Sequence, residues 1–252
     1  MTFSGRRLGF VLVLLMPALL WASPKDQKKE QKEALGKKVD SGSFGVFING
    51  HRIGTETFSI SEDANGSYIQ SEFKTEGSEP GAAQRSELQL TASGDIRRYD
   101  WKETSPGKGQ FTVVPNDDFL TEKWTDNPQD KPKEQPFLLP VSTSILDDYF
   151  FVHREVLAWK FLAASCKQEG GQVKCPLKQR TKFGSLNPRQ RASALITMEF
   201  AGREKISMHG AEQELIKLEL QSETGDWDLW LNDQLMLQKI AIPMEKTEVV
   251  RD

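Results

Sequence analysis

The residues with the most chemistry available to them are two cysteines, three histidines and a set of large aromatic side chains. Cys166 and Cys175 bracket Gly170-Gly171 symmetrically, and a Gly-Gly pair midway between them reads as a tight hairpin turn. Cysteines so placed face each other across two antiparallel strands, which in an oxidising compartment makes a structural disulfide. Loop-closure entropy gives so short a loop about 2–3 kcal/mol of stabilisation. The C-x-x-C spacing of a redox pair is absent, and His51, His153 and His209 are too scattered to complete a metal site. His153 and Glu155 are two residues apart on an expected helix, where they point apart and form no acid–base dyad. His209 precedes Gly210 in a turn, and the doublets Asp117-Asp118 and Asp147-Asp148 are adjacent pairs that rarely converge on one atom. A nucleophile elbow, a zinc-protease helix motif, a phosphate loop and a dinucleotide fingerprint are all missing. No catalytic residue, metal or cofactor is therefore assigned; carboxylates converging from separate loops are the enzymatic alternative.

The aromatic set is more suggestive. Trp101, Phe111, Trp124, Trp227 and Trp230 fall on expected strands, while Tyr149, Phe150, Phe151 and Trp159 fall on the expected helix. Taken together, Trp101, Phe111, Trp124, Tyr149, Phe150, His153, Trp227 and Trp230 outline an apolar ligand groove on the concave face of a sheet. Ordinary core packing explains each of them singly.

Stepping along the chain, Phe44, Val46 and Ile48 alternate as in a half-buried strand, and Asn49-Gly50 follows as a hairpin turn. Strands are expected over 52–60, 68–75, 84–91, 96–103, 110–114 and 119–125, with turn residues between them at the spacing of a β-meander. Residues 127–136 carry three prolines and read as a loop. Leu146, Tyr149, Phe150, His153, Val156, Leu157 and Phe161 recur at helical spacing, so a helix is expected over 144–162 with Ser144 as its N-cap. Strands return over 192–200, 204–208 (after a turn at Ala201-Gly202), 213–221, 227–231, 235–242 and 245–251. The Asn65-Gly66-Ser67 triplet fits a glycosylation sequon, but a turn accounts for it better.

Composition narrows the class. With 33 Lys+Arg against 36 Asp+Glu the formal charge is -3, and with a pI near 5.8 this excludes a nucleic acid backbone as the main partner. Arg6-Arg7, the apolar run Leu8 to Leu20 and the small residue Ala22 read as a cleavable signal peptide over 1–22, directing the protein to the periplasm or outside the cell. Residues 23–42 form a charged tether, whose lysines between 25 and 38 would touch a membrane at most peripherally. Residues 43–252 form a single domain, expected to be soluble.

The run Gly45 to Glu56, GVFINGHRIGTE, resembles the opening of exported bacterial proteins of a domain-of-unknown-function group. Trp227 to Ile240, WDLWLNDQLMLQKI, is similar to their terminal hairpin, with Thr247 to Arg251 as the last strand. The resemblance implies a sheet curled around a helix, similar to the periplasmic lipoprotein-carrier fold. It also implies an envelope role with lipid or lipoprotein handling. It supplies no catalytic residues, and the disulfide hairpin and charged tether depart from it. The expectation is a mainly β protein, an antiparallel meander curled into an open or closed barrel with one helix against it. Its partner would be a lipid-like ligand in the concave face, or alternatively an envelope protein docked through edge strands or the tether.

Overall fold

The structure, a computed structural model, describes residues 36–77, 81–170, 172–223 and 225–252. The expected signal peptide at 1–22 and the tether up to residue 35 lie outside the described residues. β1 (Lys37–Ile48) and β2 (His51–Asp63) are joined by Asn49-Gly50, whose φ angles of 50° and 77° suit a two-residue type I′ turn. Each following strand pairs with the one before it through β3 (Gly66–Thr75), β4 (Ala83–Thr91), β5 (Ile96–Ser105), β6 (Gln110–Asn116), β7 (Phe119–Thr125) and β8 (Lys133–Phe137). The two-residue β9 (Ser144–Ile145) leads to the helix, Val152–Ser165. Then come a small separate hairpin, β10 (Lys167–Glu169) and β11 (Gln172–Lys174), and β12 (Arg180–Asn187). A second meander continues through β13 (Ala192–Met208), β14 (Ala211–Ser222), β15 (Gly225–Leu231), β16 (Leu237–Ile242) and β17 (Thr247–Arg251). β17 pairs with β1, so the two meanders join in mid-sheet and β8 and β9 form its edges. Among the described residues fifteen strands make one sheet, antiparallel except where β9 runs parallel to β12, and its edges do not pair with each other. The protein is thus mainly β and barrel-like, with the barrel left open.

The sheet curls around the helix. Glu56 of β2, Tyr99 of β5 and Trp227 of β15 stand on opposite sides of the β1–β17 seam, yet all meet the segment Asp147–Arg154. Inward residues of both meanders and the helix residues Val152, Leu157, Ala158, Phe161 and Leu162 form one core. At the seam Phe44 stacks on Phe58, ring centroids 4.8 Å apart. Cys166 and Cys175 form the expected disulfide, closing the β10–β11 hairpin.

Several expectations need correction. The helix starts at Val152, not 144. Ser144 pairs with Ser185 in β9, and the Leu146 amide still bonds the Leu186 carbonyl, so the segment is committed to β12. Asp147 then turns the chain by accepting the Tyr149 amide. The N-cap position, Phe151, has no side-chain cap of its own. Glu56 takes that role from β2: its carboxylate accepts the amides of Phe151 at 2.7 Å and Val152 at 3.3 Å, and the Ser71 hydroxyl at 2.7 Å. β1 begins at Lys37, six residues before the expected domain start, with Asp40 buried against Arg251. Lys133–Phe137, expected as loop, is an edge strand, the position where Pro136 costs no ladder bond. Ala201-Gly202 is a bulge inside the 17-residue β13, not a turn; Gly202 has φ 115° there, and the register against β14 shifts past Ala201. Arg180–Asn187, outside every expected strand, forms β12.

Glu155 faces the seam from the helix. Beside it, Asp40 makes two hydrogen bonds to the Arg251 guanidinium, at 2.6 and 3.0 Å. Burial tends to raise Asp40, but Arg251 outweighs it and holds that carboxyl low. Burial, with Asp40 beside it, pushes Glu155 up to about 10, so Glu155 is the protonated member of the pair.

Two outcomes follow. Glu56→Gln replaces one accepting oxygen by an NH2 group that cannot accept a helix amide, and should lower the unfolding free energy in urea by about 1–3 kcal/mol. An unchanged urea midpoint would rule out that capping role. A carboxyl raised in the folded state binds its proton more tightly there than in the unfolded chain. Its contribution is therefore complete below the unfolded pKa and is lost as pH climbs toward the folded one. Burial pushes Glu56 and Glu122 up to about 7, so their share is lost by then, whereas that of Glu155 is still falling toward about 10. Between pH 7 and 10 the wild type should lose stability that Glu155→Gln keeps, measured by urea unfolding at several pH values.

Candidate functional site

The two ends of the open sheet meet at one rim, joined by side chains. The four-residue turn between β12 and β13 carries Arg189 and Arg191, the latter in the left-handed region at φ 51°. The aspartate doublet grips this turn with two separate side chains. Asp148 accepts the side-chain amides of Asn187 at 2.6 Å and Gln190 at 3.1 Å. Asp147, fully buried, accepts Arg189 at 3.2 Å and the Tyr99 hydroxyl at 3.1 Å. Burial, then the charge on Asp147, pushes the Tyr99 phenol well up, so it remains a donor.

So anchored, the arginines reach the opposite meander. Arg189 also donates to Gln84 of β4 at 2.7 Å and lies over the rings of Trp101 at 4.6 Å and Tyr149 at 4.7 Å. Trp101 stacks on Phe111 at 4.9 Å and donates its indole N–H to the same Gln84 oxygen at 3.0 Å. Arg191 sits 3.9 Å over the Trp124 ring, with its Nε 3.3 Å from the fully buried Glu122 of β7. Burial pushes Glu122 up to about 7, with Arg191 opposing the rise. Guanidinium planes over aromatic faces supply a cation–π attraction in each case.

The result is a cleft of about 370 Å3 walled by Trp101, Phe111 and Trp124 and headed by Arg189 and Arg191. A larger cleft of about 720 Å3 shares those three aromatic residues and extends along β4–β7. Both volumes are in the range of small-molecule sites, roughly 300–1,000 Å3.

Of the residues expected to line a groove, Trp101, Phe111, Trp124 and Tyr149 converge here. Phe150 is fully buried core, 6.0 Å from the His153 ring, and His153 is buried too, edge-on to Tyr99. Trp227 is covered by the Arg154 guanidinium at 4.3 Å. Trp230 is on the other face of the sheet, packed with Met208 and Leu215 and bonded to Glu204, so it takes no part in a concave groove. His153 and Glu155 point to different partners, Tyr99 and the Asp40–Arg251 pair, and form no dyad. Sequence reading missed Arg189, Arg191, Gln84 and Glu122. The only available signal was Arg-x-Arg in a short turn, and nothing local connects it to tryptophans some 65 to 90 positions earlier.

These features define a class, a barrel-like β protein with an aromatic–arginine cleft at its open rim. Among solved structures, the chain is similar to a crystal structure described as a beta-barrel-like protein of domain of unknown function DUF1849 from Brucella abortus. The TM-score is 0.52 at 8% identity, covering 84% of this chain and 94% of that one, which establishes a shared fold. No family model and no curated protein sequence matches the chain. No helix among the described residues is long and apolar enough to cross a membrane.

Arg191→Met should raise the Glu122 pKa above its present value near 7, because the opposing cation is removed while burial persists. Carboxyl 13C titration would show it, and an unchanged midpoint would mean that Arg191 does not govern Glu122.

Proposed function

We propose that this is a non-catalytic exported protein of the bacterial cell envelope that binds an amphipathic, lipid-like ligand at the rim cleft. One observation carries the reading: two guanidiniums lie over the indoles of Trp101 and Trp124 at the head of an aromatic-walled cleft. The apolar surface that Trp101, Phe111 and Trp124 turn to the cleft takes an apolar chain by contact area, and guanidinium N–H groups take an anionic head group by charge-assisted hydrogen bonds. Buried Asp147 and Glu122 hold the arginines in place before a ligand arrives, which reduces the ordering cost of binding. Export is supported by the N-terminal sequence and the Cys166–Cys175 disulfide.

The docking alternative has thinner support. The β8 edge carries Lys133, Glu134 and Pro136, which discourage strand addition, and β9 has only two residues.

Calorimetric titration with dodecyl phosphate below its micelle concentration tests the reading. Saturable binding is expected, weakened about tenfold or more by Arg191→Ala or Trp124→Ala, and dodecyltrimethylammonium should bind far more weakly. No saturable heat with dodecyl phosphate, or equal affinity for both amphiphiles, would overturn it.

A further inference from the structure

A second cavity, of about 530 Å3, lies between the helix and the β4 end of the sheet and shares no lining residue with the rim cleft. Its walls are mostly apolar: Leu88 and Leu90 of β4, Ile145 of β9, and Val156, Leu157 and Trp159 of the helix. Set into that lining are two buried polar residues, His153 at 2% exposure and Thr143 at 1%. Neither ring nitrogen of His153 has a hydrogen-bond partner among the described residues, and neither does the Thr143 hydroxyl. Buried polar atoms are nearly always satisfied, so three such atoms on two residues that line one cavity call for an explanation.

Charge at the cavity points the same way. Burial, with the Arg154 charge beside it, pushes His153 down to about 3, so the imidazole is neutral, with one donor and one acceptor nitrogen. Lys160 reaches the cavity, but its ammonium donates to the carbonyls of Ser142 at 2.7 Å and Gly94 at 3.4 Å. Glu62 is the carboxylate on the lining. Among the described residues an anion finds no unengaged cation here, and a cation would have to sit beside a neutral imidazole in an apolar wall.

The geometry points to a second binding site, for a neutral ligand with an apolar chain or ring and one hydroxyl or amide group that hydrogen-bonds His153 and Thr143. The apolar body lies along Leu88, Leu90 and Val156, and the polar group both donates and accepts at the inner end.

The test is calorimetric titration of the protein with 1-octanol, octanoate and octylammonium, alongside 15N spectra of the His153 ring. Saturable binding of 1-octanol is expected, at least tenfold tighter than either charged analogue, with a shift of the His153 nitrogen resonances. His153→Phe keeps an apolar wall and should remove the preference for octanol over octane. Val156→Trp, at a half-buried helix position, should fill the cavity and abolish binding without depending on the fold tolerating a change at 153. Trp124→Ala should leave octanol binding unchanged, which separates this site from the rim cleft. Unmoved His153 resonances, equal affinity for octanoate, or full binding by Val156→Trp would overturn the assignment.

Discussion

A helix enclosed by a curled sheet brings the positive end of its dipole and its unpaired amides into a place that water does not reach. Glu56 resolves that constraint. It lies in the second strand, and its carboxylate takes the first amides of the helix some 95 residues later, with Ser71 of the neighbouring strand supporting it. Because β2 stands next to the β1–β17 seam, the cap also fixes where the helix lies relative to both meanders. Burial raises the carboxyl and the donors work against the rise, so this anchor sits close to the limit at which charge can be kept inside the protein.

The same logic of buried charge recurs around the helix. Arg154 bonds the carbonyls of Asp147 and Phe150 and covers Trp227, which ties the turn before the helix to β15. Glu155 stays protonated beside the Asp40–Arg251 pair, so the seam carries no second negative charge there. Such groups position the chain more than they stabilise it, since much of their attraction is offset by desolvation. What holds the fold together is the continuous apolar core formed by the two meanders and the helix.

The open rim is where this arrangement turns toward function. A closed barrel would join its ends by a backbone ladder and leave no side-chain gap there. Here Arg189 and Arg191 do the joining, each anchored on a buried carboxylate and laid over an indole. The guanidiniums retain partial exposure, so the contact that joins the ends of the sheet also lines the cleft.

Much of the meander was legible in the residues. Alternation in β1 and β2, the Asn49-Gly50 turn and the paired cysteines are local signals, and they act over a few residues through backbone preference and side-chain direction. The helix boundary was not legible, because Ser144 and Asp147 are as suited to a cap as to what they do: one pairs with β12 and the other holds Tyr99 and Arg189. Nor did the sequence separate Trp101 and Trp124, which line the cleft, from Trp230, which packs on the outer face, since all three sit on strands and only the packing of the sheet decides what each face meets. By itself, then, the sequence determined a β-rich meander, one amphipathic helix and a short disulfide hairpin, all set by interactions between near neighbours. Tertiary structure decided that the sheet stays open, that Glu56 caps the helix and that two arginines meet two tryptophans, because each depends on residues that only the curl of the sheet brings together.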